Sequence, residues 1–305
     1  MAEPSRPARL WYQSFVHPTE QAPYIEQLQA LLDAAAGPGV RFEVHGLDPP
    51  DHLFHPLTEF RCAAQTIRNA LDAERAGYDA FVIGHFQEPG LLEIRGAVDI
   101  PVVGLGEATL LAALSMGRQL GLVTIDPVFI DWHERQVRAH GLEQRVAGVR
   151  AIHVDLPGFM RAFTDDESYA RVRAEFVEQV RPLVAAGAEV IILAGAADAA
   201  VCARAPIHYR RRAGAQRHRG GGKGRRDGAG AAPPHRRGGQ PPRDLRQSIG
   251  GMRGGVPRKA LVNRPAKANI NADALVAAWA RGNVGNAIVL KPLVPPHVDR
   301  HVGPS

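Results

Sequence analysis

Sulfur is scarce in this chain. Its two cysteines, Cys62 and Cys202, make no disulfide framework and no Cys-x-x-Cys metal pattern. No apolar run is long enough to cross a bilayer. The opening Met1-Ala-Glu-Pro-Ser-Arg lacks the apolar centre of a secretory leader, so a cytoplasmic location is expected. Acidic residues thin out sharply along the chain. Residues 1–195 hold 16 Lys+Arg against 26 Asp+Glu, whereas residues 196–305 hold 21 against 5. The overall charge of +6 therefore averages an ordinary acidic globular region with a basic region rich in Gly, Pro and Ala. Aromatics also fail there: Tyr209 is the one aromatic residue between 196 and 278, which leaves almost no platform for base stacking.

The first 195 residues carry the pattern of alternating strands and helices. Ala80–Ile83 is a short apolar run suited to a strand buried on both faces of a parallel sheet. Gly84 permits a tight turn, and His85 falls just past the strand's carboxyl end, where open α/β sheets bind ligands. Strands are expected at 9–15, 40–44, 80–83, 100–104, 120–125, 149–154 and 189–193. Helices are expected at 20–36, from an N-cap at Thr58 to Ala76, at 106–116 and 127–139, and after the capping pair Asp165 and Asp166. Cys62, among apolar neighbours, reads as a core thiol.

A weaker copy of the central unit comes later. Ala76-Gly-Tyr-Asp-Ala-Phe-Val-Ile-Gly-His85 aligns without gaps with Ala186-Gly-Ala-Glu-Val-Ile-Ile-Leu-Ala-Gly195. The repeat predicts an α/β fold of two pseudo-symmetric lobes with mainly parallel sheets, and it places Gly195 opposite His85. The boundaries read as residues 8–115 for the first lobe and 116–195 for a second, incomplete lobe. A basic, disordered segment follows over 196–267, then a tail over 268–305 of unknown role.

Val82-Ile-Gly-His-Phe-Gln-Glu-Pro-Gly-Leu91, Ile100-Pro-Val-Val-Gly-Leu-Gly-Glu-Ala-Thr109, Leu122-Val-Thr124 and Val190-Ile-Ile-Leu-Ala-Gly195 together resemble the aspartate/glutamate/hydantoin racemase superfamily, nearest its hydantoin-racemase-like branch. The resemblance covers about residues 8–195. It implies a cleft between two lobes and a homo-oligomer. It also implies proton transfer at the carbon next to a carbonyl of a small carboxylate, amino acid or hydantoin, with no cofactor and no metal. Typical members place one cysteine in each lobe, because inversion needs proton-transfer groups on opposite faces. Here those positions hold His85 and Gly195 (or Ala196), so the two-thiol mechanism is lost. His85 remains a candidate acid or base. The resemblance makes Gln13, Ser14, Thr124 and Gly195 substrate contacts, and puts Glu107 and Thr109 at a helix N-terminus where Thr109 and the free N–H groups suit an anion, while Glu107 would oppose one and is expected to fix the loop. The Asn-Pro-Asn pattern common in the family after the first strand is missing. A catalytically silent small-molecule-binding protein of the same fold is the alternative.

The basic segment has two readings. One is a phosphate-binding tail. The other, which we favour, is translation out of register from a GC-rich gene. Reading each codon from its second base lets residues 197–203 become PMLLFAR, residues 212–218 become APVLNGI and residues 220–223 become VVVK. On that reading Cys202 is accidental, the second lobe loses the helix that should follow its last strand, and the chain as given has little or no activity.

Overall fold

The computed structural model describes residues 6–51, 53–203 and 287–289. In the first lobe, β1 (Ala8–Gln13), β2 (Val40–His45), β3 (Ala80–Ile83) and β4 (Val102–Gly104) form a parallel sheet in the order β2-β1-β3-β4. In the second, β5 (Leu120–Thr124), β6 (Val146–Ala151) and β7 (Val190–Leu193) pair in parallel, and β8 (Ala287–Val289) joins β7 antiparallel, giving β6-β5-β7-β8. The helices between them are α1 (Ala22–Ala35), α2 (Pro56–Arg75), α3 (Leu91–Ala97), α4 (Leu105–Leu114), α5 (Val128–Ala139), α6 (Leu156–Arg161), α7 (Asp166–Ala185) and α8 (Ala196–Ala203). The expected two-lobed α/β architecture with mainly parallel strands is what the chain adopts.

The symmetry extends to single hydrogen bonds. Gln13 pairs with Ile83 in the first sheet, and Val123 with Leu193 in the second. One residue on, Gly84 N–H donates to Gln13 O and Ala194 N–H donates to Val123 O, both at 2.8 Å. At the opposite ends of the strands, Asp79 N–H donates to Arg9 O at 2.8 Å and Glu189 N–H to Gln119 O at 2.7 Å. Ser14 is thus the counterpart of Thr124, and His85 that of Gly195.

β3 and β7 are apolar throughout because both faces are covered, and every residue of each is buried. One apolar core runs through both lobes, joining Leu10, Tyr12, Val82 and Phe86 to Leu122, Phe159, Phe176 and Ile192. A smaller core under the outer face of the first sheet gathers Phe81, Ile83, Ile94 and Cys62. Cys62 is inaccessible, and burial, helped by Asp51, pushes its thiol up to about 12. Full burial of a side chain such as Phe81 contributes roughly 1.5–3 kcal/mol.

Several local details differ from expectation. Thr58 is not the N-cap of α2 but its third residue. His55 holds the cap, with Nδ1 accepting Leu57 N–H, while Thr58 Oγ1 accepts His55 N–H at 3.2 Å. The strand expected at 149–154 starts earlier, as β6. Where the sequence pattern was expected to stop, α8 forms over Ala196–Ala203 and packs on α1 and α7. The helix expected to be missing after β7 is therefore present for two turns. Alanine's high helix propensity explains why, since five of its eight residues are Ala. The phosphate-binding and out-of-register readings, over residues 204–267, lie outside the described residues.

Candidate active site between the lobes

The carboxyl ends of β1, β3, β5 and β7 open onto one cavity of about 120 Å³ between the lobes. Ser14, His85, Thr124 and Gly195 all line it. His85 follows Gly84, whose lack of a side chain is required: a Cβ there would lie 2.1 Å from the Tyr12 ring. The histidine ring packs edge-on against Phe15, with centroids 4.5 Å apart, and its Nδ1 is buried with no hydrogen-bond partner. Ser14 bonds the hydroxyl of Tyr24, whose pKa is raised by burial. Thr124 Oγ1 lies 3.3 Å from His133 Nε2. Burial lowers His133 to about 3, so its ring is neutral at physiological pH. The two lobes thus present a symmetric pair of hydroxyls to the cavity, set among the aromatic rings of Phe15, Phe54, Phe129 and Phe159.

Three expected contacts are not at the cavity. Gln13 is fully buried: its Nε2 donates to the carbonyls of Ser14, His45 and Gly46, and its Oε1 accepts from Trp11 Nε1 and Asn69 Nδ2. With its amide committed on all sides, it braces the β1–β2 ends. Thr109 Oγ1 donates to Leu105 O at 2.6 Å, one turn back in its own helix. Glu107 pairs with Arg95 at 2.5 Å, which holds its carboxyl below the usual range. The N-terminus of α4 is already capped from within, because Glu88 Oε1 accepts Glu107 N–H at 2.6 Å. No anion from solution is needed there.

Glu88 explains the Gly-Leu-Gly-Glu stretch. A Cβ at Gly104 would lie 2.1 Å from Glu88 Oε1, and one at Gly106 would lie 2.3 Å from both Gln136 Nε2 and Phe86 O. The two glycines leave room for a buried carboxyl and an amide from the other lobe. Gln136 Nε2 donates to Phe86 O at 2.7 Å and to Glu88 Oε2 at 3.0 Å, tying α5 to the loop that carries His85. Burial raises Glu88 to about 7, against the opposing effect of the Glu107 and Gln136 bonds. The anion site expected at this stretch is filled by the chain's own Glu88. The close spacing of two glycines around a helix start was the signal for a close approach instead.

A model of the Asp/Glu/hydantoin racemase family matches residues 18–207. The chain belongs to that family. It is 33% identical over 132 residues to a hydantoin racemase of Rhizobium meliloti, covering 43% of this chain and 52% of that protein. It is 30% identical over 103 residues to one from Pseudomonas sp. (strain NS671), covering 34% and 41%. The chain spans about half the length of these curated relatives, or less. Among solved structures, allantoin racemase from Klebsiella pneumoniae has the same fold (TM-score 0.55, 22% identity, 65% of this chain and 77% of that one). So does an allantoin racemase from Pseudomonas fluorescens (TM-score 0.51, 22% identity, 64% and 82%). In this racemase-family fold the second lobe carries a residue that sequence reasoning missed. Asp198, at the start of α8, is fully buried, lines the cavity and has no partner for either carboxylate oxygen. Burial alone drives its pKa well up, disfavouring the charged form. Its nearness to Gly195, whose added Cβ would meet Asp198 Oδ2 at 2.7 Å, could not be read from spacing while 196 onward was taken as unpatterned.

Proposed function

We propose that this chain is built for racemase- or isomerase-type proton transfer at the carbon next to a carbonyl of a small carboxylate, amino acid or hydantoin. His85 is the first lobe's acid–base group, and the hydroxyls of Ser14 and Thr124 hold the substrate from the two sides. One observation carries this reading: His85 and Gly195, each two residues past a matching strand of its own lobe, line the same cavity. The hydantoin racemase activity of the two curated relatives supports the substrate class, and the resemblance implies a homo-oligomer. No helix among the described residues is long and apolar enough to cross a membrane.

The second wall offers no acid–base group at the Gly195 position, so proton removal should outrun inversion. In deuterated water with hydantoin or amino-acid substrates, the α-hydrogen should exchange faster than the chiral centre inverts. His85→Ala should cut exchange by about 10²–10⁴-fold, the usual contribution of a positioned acid or base. Exchange unchanged in His85→Ala would sink the assignment. The empty symmetric position also favours a second reading, a catalytically silent binder, which predicts saturable substrate binding with no exchange in the wild type.

A further inference from the structure

Three polar side chains meet beside the cavity and are left unsatisfied. Asp51 lies in the loop between β2 and α2, Glu59 in the first turn of α2, and His85 beyond β3. Each offers one donor atom, and these atoms lie within 4.8 Å of one another. Asp51 Oδ2, Glu59 Oε2 and His85 Nδ1 are all buried, and none has a hydrogen-bond partner. Asp51 is only 7% exposed, and its other oxygen, Oδ1, already accepts the N–H groups of Leu53 and Phe54 at 3.3 Å each. The cation of this corner, Arg61, is directed elsewhere: Nη1 donates to Pro49 O at 2.6 Å and Nη2 to Pro50 O at 2.8 Å. Buried polar atoms are nearly always paired, and two carboxylates facing one another without a bridging group are costly.

We propose that Asp51, Glu59 and His85 form a binding site for a divalent first-row transition-metal ion, open on one side to the cavity. Two carboxylate oxygens and one imidazole nitrogen are a donor set suited to Zn²⁺ or Mn²⁺. If the three atoms stood at the full 4.8 Å, the centre of their triangle would be about 2.8 Å from each. A contraction of under an ångström then reaches the ~2.0–2.2 Å of zinc–nitrogen and zinc–oxygen bonds. Charge agrees as well, since two carboxylates and a neutral imidazole balance a doubly charged ion in a buried place. Asp51 and His85 line the cavity, so the remaining coordination position faces the space where a substrate carbonyl or carboxylate would sit. An ion on Nδ1 would leave the imidazole N–H on Nε2, so a loaded His85 would act toward the cavity as a donor, and the proton-removing base of the racemase reading would be the metal-free form. The site departs from the metal-free expectation of the family resemblance, and it stands whether or not the racemase reading holds.

The test is metal uptake, measured without substrate. The full-length protein is stripped with chelator, then titrated with Zn²⁺, Mn²⁺ and Co²⁺, with calorimetry for affinity, elemental analysis after gel filtration for stoichiometry, and the Co²⁺ visible spectrum for coordination. One ion per chain is expected, with a rise in Tm on loading. Asp51→Asn and Glu59→Gln should each weaken binding by at least about a hundredfold, since losing a ligand costs no less than losing a residue that merely supports one, roughly 10–100-fold. Glu59→Gln also guards against simple misfolding: removing a buried charge should leave the metal-free protein as stable as wild type or more so, while abolishing the metal-induced rise in Tm. No retained ion in the wild type, or Glu59→Gln binding as tightly as wild type, would overturn the site and leave a bridging water or a shared proton as the occupant.

Discussion

The two lobes share a backbone plan and differ in what they hang on it. Ser14 and Thr124 are matched hydroxyls at matched strand ends, and the same inter-strand hydrogen bonds recur behind them. Two residues past the ends of the other pair of strands the match fails, with His85 in one lobe and Gly195 in the other. Support differs too. The His85 loop is braced by Glu88, by the glycines beside it and by Gln136 reaching over from α5. The Gly195 loop runs directly into α8, where Asp198 sits buried with both oxygens unpaired. Even the sheet edges differ: parallel β4 closes the first sheet soon after β3, whereas the fourth position of the second sheet is taken by antiparallel β8 from residues 287–289. Main-chain symmetry therefore fixes where a functional group can stand, but it does not supply one.

The largest effect expected from this contrast concerns Glu88. Its folded value of about 7 stands above an unfolded value of about 4.3, so the folded state binds the proton more tightly. That contribution to stability is fully present below about pH 4.3 and is lost as pH rises through about 7, on the order of 3 kcal/mol in all. Glu88→Gln removes the titration. Its amide oxygen can still accept Glu107 N–H, while the bond from Gln136 Nε2 to the second carboxyl oxygen is given up. Urea unfolding at pH 5 and pH 8 should show the wild type losing stability relative to Glu88→Gln at the higher pH. Parallel curves for the two proteins would mean that the brace is not a buried carboxylic acid.

Legibility in the sequence followed the same contrast. Apolar runs such as Ala80–Ile83 and Val190–Leu193 were plain because strands buried on both faces leave no polar residues to blur them. The repeat matched His85 with Gly195, and the family resemblance added Ser14 and Thr124; all four line one cavity. Long-range contacts were not legible. Gln13 looked like a substrate contact, but Asn69, 56 residues away, and the β2 end claim its amide. The α4 N-terminus looked vacant because Glu88, 19 residues earlier, gave no sign of reaching it. Asp51 and Glu59 join His85 from a loop and a helix far from it in the chain, so no spacing rule could assemble the three.

A smaller effect, of opposite sign, separates the lobes at Asp198. If residues after 196 are read out of register, the residue meant for this position is Met, from the PMLLFAR reading of residues 197–203. An unpaired buried carboxyl lowers stability by roughly 1–3 kcal/mol, and an unbranched apolar side chain adapts to irregular space. Asp198→Met should therefore stabilise the full chain by about that amount in thermal or urea unfolding. Equal or lower stability, together with loss of α-hydrogen exchange, would instead make Asp198 a working acid on the second wall, and the lobes would be more alike in chemistry than we argue.

The smallest effects belong at the first lobe's rim, and they test whether α4 is scaffold or site. Glu88 Oε1 already receives Glu107 N–H, Thr109 bonds within its own helix, and Glu107 is held by Arg95. A substrate anion would have to displace a buried carboxyl to bind there. Glu107→Gln loses one partly exposed ion pair, of order 0–1 kcal/mol, and touches nothing in the cavity. Its effect on KM, like that of Thr109→Ser, should stay within about twofold. Ser14→Ala and Thr124→Val each remove a hydroxyl that faces the cavity. At about 0.5–1.5 kcal/mol per hydrogen bond, each should raise KM by roughly 2–12-fold. If Glu107→Gln raised KM as much as Ser14→Ala does, the helix end would be a substrate contact after all, and the division of the first lobe into a bracing rim and a working strand end would fail.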